Sequence, residues 1–332
     1  LPTCSPAALD DWQAPSANGA TLFTSRARQH EALGTLIPLG ILLPDDAYAL
    51  LCAGRKPHDA AEEAAARGIV QRLGGHAMAV DQARAACEQQ GFTGFLKRLD
   101  QDDQQALALS RTLAGDLPNG HERDIAKTFL GSITGLNPDG FDLLTLAAQL
   151  SGAPISRDLI AASKLARLPI AAQSADEPDE AAMRAAELAA QDWADLAMHE
   201  LTACSLADPA VVNPATPDGA SEIAITLHTL IARVARWQLA RGGDAHLASA
   251  QWREAATLVL LRTLQNADDI LQHAEMVNEV HDARLLCEQV ETFDQALLLA
   301  RIALYDHARG RYGPARVAWQ TVVTKLEHVL GA

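Results

Sequence analysis

The sequence comprises 332 residues and carries a formal net charge of −15 at neutral pH. This length suffices for roughly two to four small domains, and the negative charge repels phosphate backbones and anionic lipid surfaces, so nucleic acids and membranes are unfavourable partners. Hydrophobic residues make up 48% of the chain but aromatic residues only 4%, with alanine and leucine dominating, and we therefore expect a mainly α-helical protein.

The first predicted element is a strand, ATLFTSR at residues 20–26, which follows the turn-like segment PSANG. Because no other strong strand is predicted nearby, we expect its partners to precede residue 1 in a longer protein. The strand ends at Arg26, in the position where open α/β sheets bind their ligands, and an arginine there can contact a terminal phosphate. The alternative is a solvated arginine that follows an edge strand.

Helical segments are predicted from residue 36 onwards. PDDAYALLCAG begins with Pro44 and two aspartates, and HDAAEEAAARGIVQRLGG is acidic at its start and ends in two glycines, as helices commonly do. Their short connections predict a small helical bundle over 36–110. Within it, Gly75 and His76 open a helix in LGGHAMAV, an arrangement that can approach a nucleotide but more often just connects two helices.

Residues 111–241 are predicted to form a winged-helix domain. Helices are followed by ADPAVVNPATPDGASE and then by a strand from Glu222, a pattern that favours a β-hairpin or wing. His228 stands where this strand becomes an amphipathic helix, with Thr226 predicted as the N-cap. An imidazole on a first helical turn can donate a hydrogen bond to a phosphate; the alternative is a partly buried histidine bonded to a carbonyl.

After the Gly242-Gly243 breaker, helices of similar length are predicted over 242–332. The small and aromatic positions of the last pair follow a helix-turn-helix repeat that resembles the tetratricopeptide pattern. These positions are Ile302, Ala303, Gly310, Tyr312, Ala315 and Trp319.

The chain lacks the common motifs of a self-sufficient active site. It contains no phosphate loop, no dinucleotide-binding glycine motif, no H-E-x-x-H and no G-x-S-x-G, and His199-Glu200 has no further metal ligand at a suitable spacing. The five cysteines are scattered, without the spacing of a zinc site or a disulfide framework. With no signal peptide and no apolar run near the roughly 20 residues that cross a bilayer, we expect a cytoplasmic protein.

Four stretches carry a family resemblance: ATLFTSR, IVQRLGGHAMAVDQA, ITLHTLIARVA and IALYDHARGRYGPARVAW. In this order they resemble the carboxyl part of a bacterial NB-ARC signalling NTPase of the STAND class, with tetratricopeptide repeats. The resemblance covers residues 20–319 and implies four parts: the end of a nucleotide-binding α/β fold at 1–35, an ARC1-like helical bundle at 36–110, a winged-helix domain at 111–241 and helical repeats at 242–332.

The resemblance also implies roles for particular residues. Arg26 matches the family's sensor of the terminal phosphate. Gly75 and His76 match the start of its G-x-P-L motif, although Ala77 replaces the proline that contacts adenine. His228 matches the histidine that holds the β-phosphate of ADP in the resting state, although Thr229 replaces the aspartate that follows it in the family.

The function implied is that of the regulatory portion of a switch that closes on ADP and opens, on exchange for ATP, to permit oligomeric assembly. The repeats would sense a protein or a small ligand. The phosphate loop and the magnesium-binding strand would precede residue 1, so this chain alone is not expected to hydrolyse ATP, and the parent protein would be at most a slow ATPase.

Two alternatives remain open from the sequence. A helical-repeat scaffold without nucleotide binding would explain the missing proline and the missing phosphate loop. A winged-helix transcription regulator would need a basic recognition helix, for which the candidate SRDLIAASKLARL carries Arg157, Lys164 and Arg167.

Overall fold

A computed structural model describes residues 41–101, 104–113, 117, 121–167, 180–212, 222–241 and 244–330. The predicted strand at 20–26, and with it Arg26, lies outside these residues. From Leu42 onwards the chain forms one compact unit, which is mainly helical as expected, with a small sheet. The domain boundaries at 110 and 241 stay a prediction.

The described residues form fourteen α-helices and three strands. The helices are α1 Pro44–Leu51, α2 Ala60–Arg72, α3 Ala77–Gln90, α4 Phe92–Asp100, α5 Gln104–Thr112, α6 Glu122–Thr134, α7 Pro138–Ala147, α8 Arg157–Ala166, α9 Glu180–Ala203, α10 Thr229–Leu239, α11 Asp244–Thr263, α12 Val277–Leu286, α13 Phe293–Ala308 and α14 Tyr312–Leu330. The strands are β1 Ile155–Ser156, β2 Ala207–Val212 and β3 Glu222–Leu227.

Helices α1 to α4 pack together at the start of the described chain. Pro44 opens α1 as predicted. The Asp59 side chain caps α2 by accepting a hydrogen bond from the Glu62 backbone N–H at 2.8 Å. After α2 the backbone turns through Gly74 and Gly75, which both have the positive φ that glycine adopts without strain. This turn sets the direction in which α3 begins.

The sheet has the strand order β1-β3-β2, and both pairings are antiparallel. The predicted pairing of the strand from Glu222 with the chain after α9 is confirmed, since Ala207 pairs with Leu227 and Val212 with Glu222. Strand β1 was not predicted. It has only two residues, and the second, Ser156, also caps α8 by accepting a hydrogen bond from the Leu159 N–H at 3.2 Å.

Two stacked tryptophans tie the last helices to those around the sheet. The rings of Trp193 on α9 and Trp252 on α11 lie 5.7 Å apart at 14°. Lys164 of α8 lies over both rings, 4.3 Å from the Trp193 centroid and 5.9 Å from that of Trp252. Asp142 accepts a hydrogen bond from the Trp252 indole N–H at 3.3 Å. The hydrophobic core therefore continues from α7–α9 into α11.

The last two helices form an antiparallel hairpin around Gly310, which has a positive φ of 74°. Of the positions predicted from the repeat pattern, Ile302, Ala303 and Ala315 are buried between the helices. Tyr312 and Trp319 are 64% and 38% exposed. The predicted hairpin is present, and one of its faces is open to solvent.

Candidate functional site

His228 lies at the junction of β3 and α10, where it is the N-cap of the helix. Its Nδ1 accepts a hydrogen bond from the Leu230 N–H at 3.1 Å. The prediction of Thr226 as N-cap was wrong, because Thr226 still pairs with Asp208 in the sheet. Since Nδ1 acts as the acceptor, the neutral imidazole carries its proton on Nε2.

His76 occupies the same position on another helix. As predicted, it stands at the start of α3, and its Nδ1 accepts a hydrogen bond from the Ala79 N–H at 3.3 Å. Gly75 before it fixes the entry of the chain, because its carbonyl accepts a hydrogen bond from the Leu42 N–H at 2.8 Å. The neutral imidazole of His76 thus also carries its proton on Nε2.

The starts of α3 and α10, which are far apart in the sequence, line one pocket. Burial and the neighbouring charge of His228 both lower the pKa of His76, so its imidazole is neutral at pH 7. The pocket has a volume of about 250 Å³, and of the two histidines only His228 is among its lining residues. It is lined by Leu50, Ala77, Met78, Asp81, Ser205, Leu206, Ala207, Asp208, His228 and Ile231.

The pocket receives the N-terminal ends of two helices, since Ala77 opens α3 and His228 caps α10. Free backbone N–H groups and the helix dipoles make such ends favourable for an anion. A volume of this size accommodates a phosphate group or a small part of a nucleotide, whereas sites for whole drug-sized ligands are about 300–1,000 Å³.

Two carboxylates also line the pocket and reduce its preference for anions. Asp81 is neutralised by Arg84, whose Nε donates to its Oδ1 at 2.9 Å. Arg84 also donates to the Ser205 hydroxyl at 3.1 Å and so holds Ser205, whose φ of 53° is unusual for a residue other than glycine. Asp208, on the pocket rim in β2, opposes an anion.

Sequence reasoning did not find Arg84, Ser205 or Asp208. The helix α3 carries Arg84 three residues after Asp81, an ordinary i,i+3 ion pair on a helix. Its contact with Ser205 depends on the position of the α9–β2 turn, which no local pattern reveals. The predicted Arg26 lies outside the described residues, so the structure does not relate it to this pocket.

The described residues contain no cluster of three or more histidine, cysteine, aspartate or glutamate side chains placed to hold a metal ion. Glu200, part of the His199-Glu200 pair, instead accepts a hydrogen bond from the Asn137 N–H at 3.3 Å. Nor do the helices of the described chain include one whose length and apolar character would let it cross a membrane.

The three basic residues of the candidate recognition helix are all engaged within the protein. Arg157 donates to both carboxylate oxygens of Asp195, at 2.6 and 2.7 Å. Arg167 donates to Asp142 at 3.0 Å, and Lys164 lies 3.6 Å from the same carboxylate. Base readout by these side chains would require breaking those contacts.

Comparison with family profiles, with curated proteins and with solved structures finds no match for this chain.

Proposed function

We propose that this chain is the regulatory portion of an ADP/ATP-operated signalling switch of the NB-ARC type, which closes on ADP and opens to permit oligomeric assembly. The observation that carries the proposal is that the starts of two helices from separate motifs, at Ala77 after His76 and at His228, line one pocket. A scaffold with degenerate motifs gives no reason for these two positions to converge.

The order of elements around the sheet supports the assignment of a winged-helix domain. Helix α7, strand β1, helices α8 and α9, and the β2–β3 hairpin follow one another as in that fold, and His228 begins the next helix. Helix α9, the longest of this group, carries five acidic residues and one basic residue, so it does not suit a nucleic-acid groove. The domain would instead dock against the nucleotide fold.

In the proposed resting state, His76 and His228 both contact the bound ADP. A hydrogen bond to a charged group is worth about 1.5–3 kcal/mol, so losing one changes the affinity tenfold or more. Mg²⁺ would be held by the upstream part of the parent protein, and Arg26 would contact the terminal phosphate of ATP. The α11–α14 helices would sense a protein or small ligand and bias the exchange.

The test is the nucleotide content of the cytoplasmic parent protein, extended upstream through its nucleotide fold. After denaturation, released ADP and ATP are quantified for the wild type, His228→Ala, His76→Ala and, as a control, the exposed His199→Ala. We expect ADP near one equivalent in the wild type and control, and about tenfold weaker retention in the other two variants. Equal ADP in all four proteins, or nucleotide in none, contradicts the proposal and favours the scaffold.

A further inference from the structure

A buried carboxyl group joins α12 to the loop between α7 and β1. Oδ1 of Asp282 accepts two hydrogen bonds from Ser151, one from its backbone N–H at 2.8 Å and one from its hydroxyl at 2.6 Å. The same hydroxyl accepts a hydrogen bond from the Ala153 N–H at 3.1 Å, which shapes the loop. A single side chain of α12 therefore holds Ser151, whose hydroxyl in turn holds Ala153.

Among the described residues, no cation acts on the carboxyl group of Asp282. It is 0% exposed, and within the described chain its Oδ2 has no hydrogen-bond partner. The loop from Ala148 to Ser156 carries no charged side chain, and the charged group acting on Asp282 is the acidic Glu279, one turn earlier. A buried carboxylate in such surroundings favours the protonated form.

Three arginines on neighbouring elements donate to groups other than Asp282. Arg284 on α12 donates to Asp306 of α13 at 2.6 Å. Arg253 on α11 donates to the Leu286 carbonyl at 2.9 Å, and Arg236 on α10 donates to the Ala148 carbonyl at the same distance. In accordance with this geometry, burial first and then Glu279 raise the pKa of Asp282 to about 7, despite the opposing hydrogen bonds from Ser151.

The loop that Asp282 holds leads directly to the candidate site. A Cβ built on Gly152 would lie 3.5 Å from Cγ2 of Thr229, the residue after His228. Three residues further on, Ile155 pairs with Ile225 of β3, the strand that ends just before His228. Release of the loop from α12 would thus loosen the support of the α10 N-terminus.

We propose that Asp282 and Ser151 form a proton-sensitive latch, which fastens the α7–β1 loop to α12 when Asp282 is protonated and releases it when Asp282 ionises. The latch is a property of α12 and this loop and does not depend on nucleotide binding. It gives the α11–α14 helices a physical connection to the segment that positions His228.

The size of the effect follows from the difference between the latched and released states. With a pKa of about 7 when latched and about 3.8 when solvated, the latch is most favourable at low pH. Raising the pH from 6 to 8 shifts the equilibrium about tenfold toward the released state, because Asp282 ionises more easily there. Above pH 8, Asp282 is ionised in both states, and the ratio of latched to released protein levels off.

The experiment is native-state hydrogen exchange on the 332-residue chain, followed at the amides of residues 149–153 between pH 6 and 9. Protection factors, which remove the intrinsic pH dependence of exchange, should fall about tenfold between pH 6 and 8 in the wild type and then level off. Asp282→Asn, which cannot ionise, should show the same protection at every pH, and the exposed control Glu275→Gln should behave as the wild type.

A second variant keeps the test decisive if Asp282→Asn fails to fold. Glu279→Gln removes the charge that opposes ionisation of Asp282, so the fall in protection should move to lower pH. Wild-type protection that is constant from pH 6 to 8 overturns the proposal, as does an unchanged pH profile in Glu279→Gln.

Discussion

Replacing Trp252 should test whether α11 is fastened to α7–α9 as described. Trp252 is fully buried, and truncation to alanine removes the stack on Trp193, the hydrogen bond to Asp142 and the contact with the Arg167 guanidinium, 4.6 Å from the ring centroid. Large-to-small changes of a buried Trp cost about 3–5 kcal/mol. The cost for Trp252→Ala should lie in the upper part of that range, because the carboxylate of Asp142 also loses a donor.

Trp252→Phe separates these contributions. It keeps an aromatic ring but loses the indole N–H, and an aromatic pair is worth about 0.5–1.5 kcal/mol beyond the buried area. We therefore expect a loss of about 1–3 kcal/mol, between the wild type and Trp252→Ala.

The assay is urea unfolding followed by circular dichroism, which reports on all helices at once. The matched control is Trp319→Ala on α14, where the ring is 38% exposed, and it should cost less than about 1 kcal/mol. A loss below about 1 kcal/mol for Trp252→Ala, or a loss equal to that of Trp319→Ala, would refute the assignment of Trp252 to the shared core.

Two further predictions concern the first bundle and the thiols. Gly74→Ala should lower the free energy of unfolding by about 1–2 kcal/mol or more, because Gly74 has a φ of 57° and a Cβ there would overlap the ring of His121. The measurement is thermal unfolding, and an unchanged midpoint temperature would contradict this backbone conformation. Cys87 and Cys287 are buried, and burial raises the pKa of each thiol to about 12. Maleimide at pH 7.5 should therefore label them only after unfolding, as read by peptide mass spectrometry. Labelling of the native protein at the rate of the partly exposed Cys52 would contradict this prediction.

The helical character and several helix ends could be predicted from the sequence because their causes are local. Pro44 at a first turn, Asp59 as an N-cap and the glycines after α2 act within a few residues of where they stand. The start of α3 at His76 was predicted on the same grounds. Such signals are readable without knowledge of the tertiary structure.

The start of α10 could not be placed correctly, because it depends on a contact with another part of the chain. Thr226 and His228 both suit the N-cap position, and the choice is made by β2, whose Asp208 pairs with Thr226 and keeps it in the sheet. Strand β1 was missed because its two residues have no periodicity to detect, and it exists through pairing with β3, about 70 residues away.

The candidate site was only partly predictable. His76 and His228 could be selected as helix-opening histidines, but the meeting of the two helix starts at one pocket is a tertiary result that only the motif resemblance implied. The support from Arg84 to Ser205, and the latch at Asp282, connect residues more than 100 positions apart. Each of these polar residues is ordinary in its local sequence, so only the fold reveals its neighbours.

The α13–α14 hairpin offers a surface through which a binding partner could act on this protein. Helix α14 packs mainly on α13, and its outer side exposes Tyr312, Trp319 and Val323. Within the described chain the local stability of α14 therefore depends mainly on its contacts with α13. A molecule that bound across both helices would add to those contacts, and the binding free energy would stabilise the hairpin.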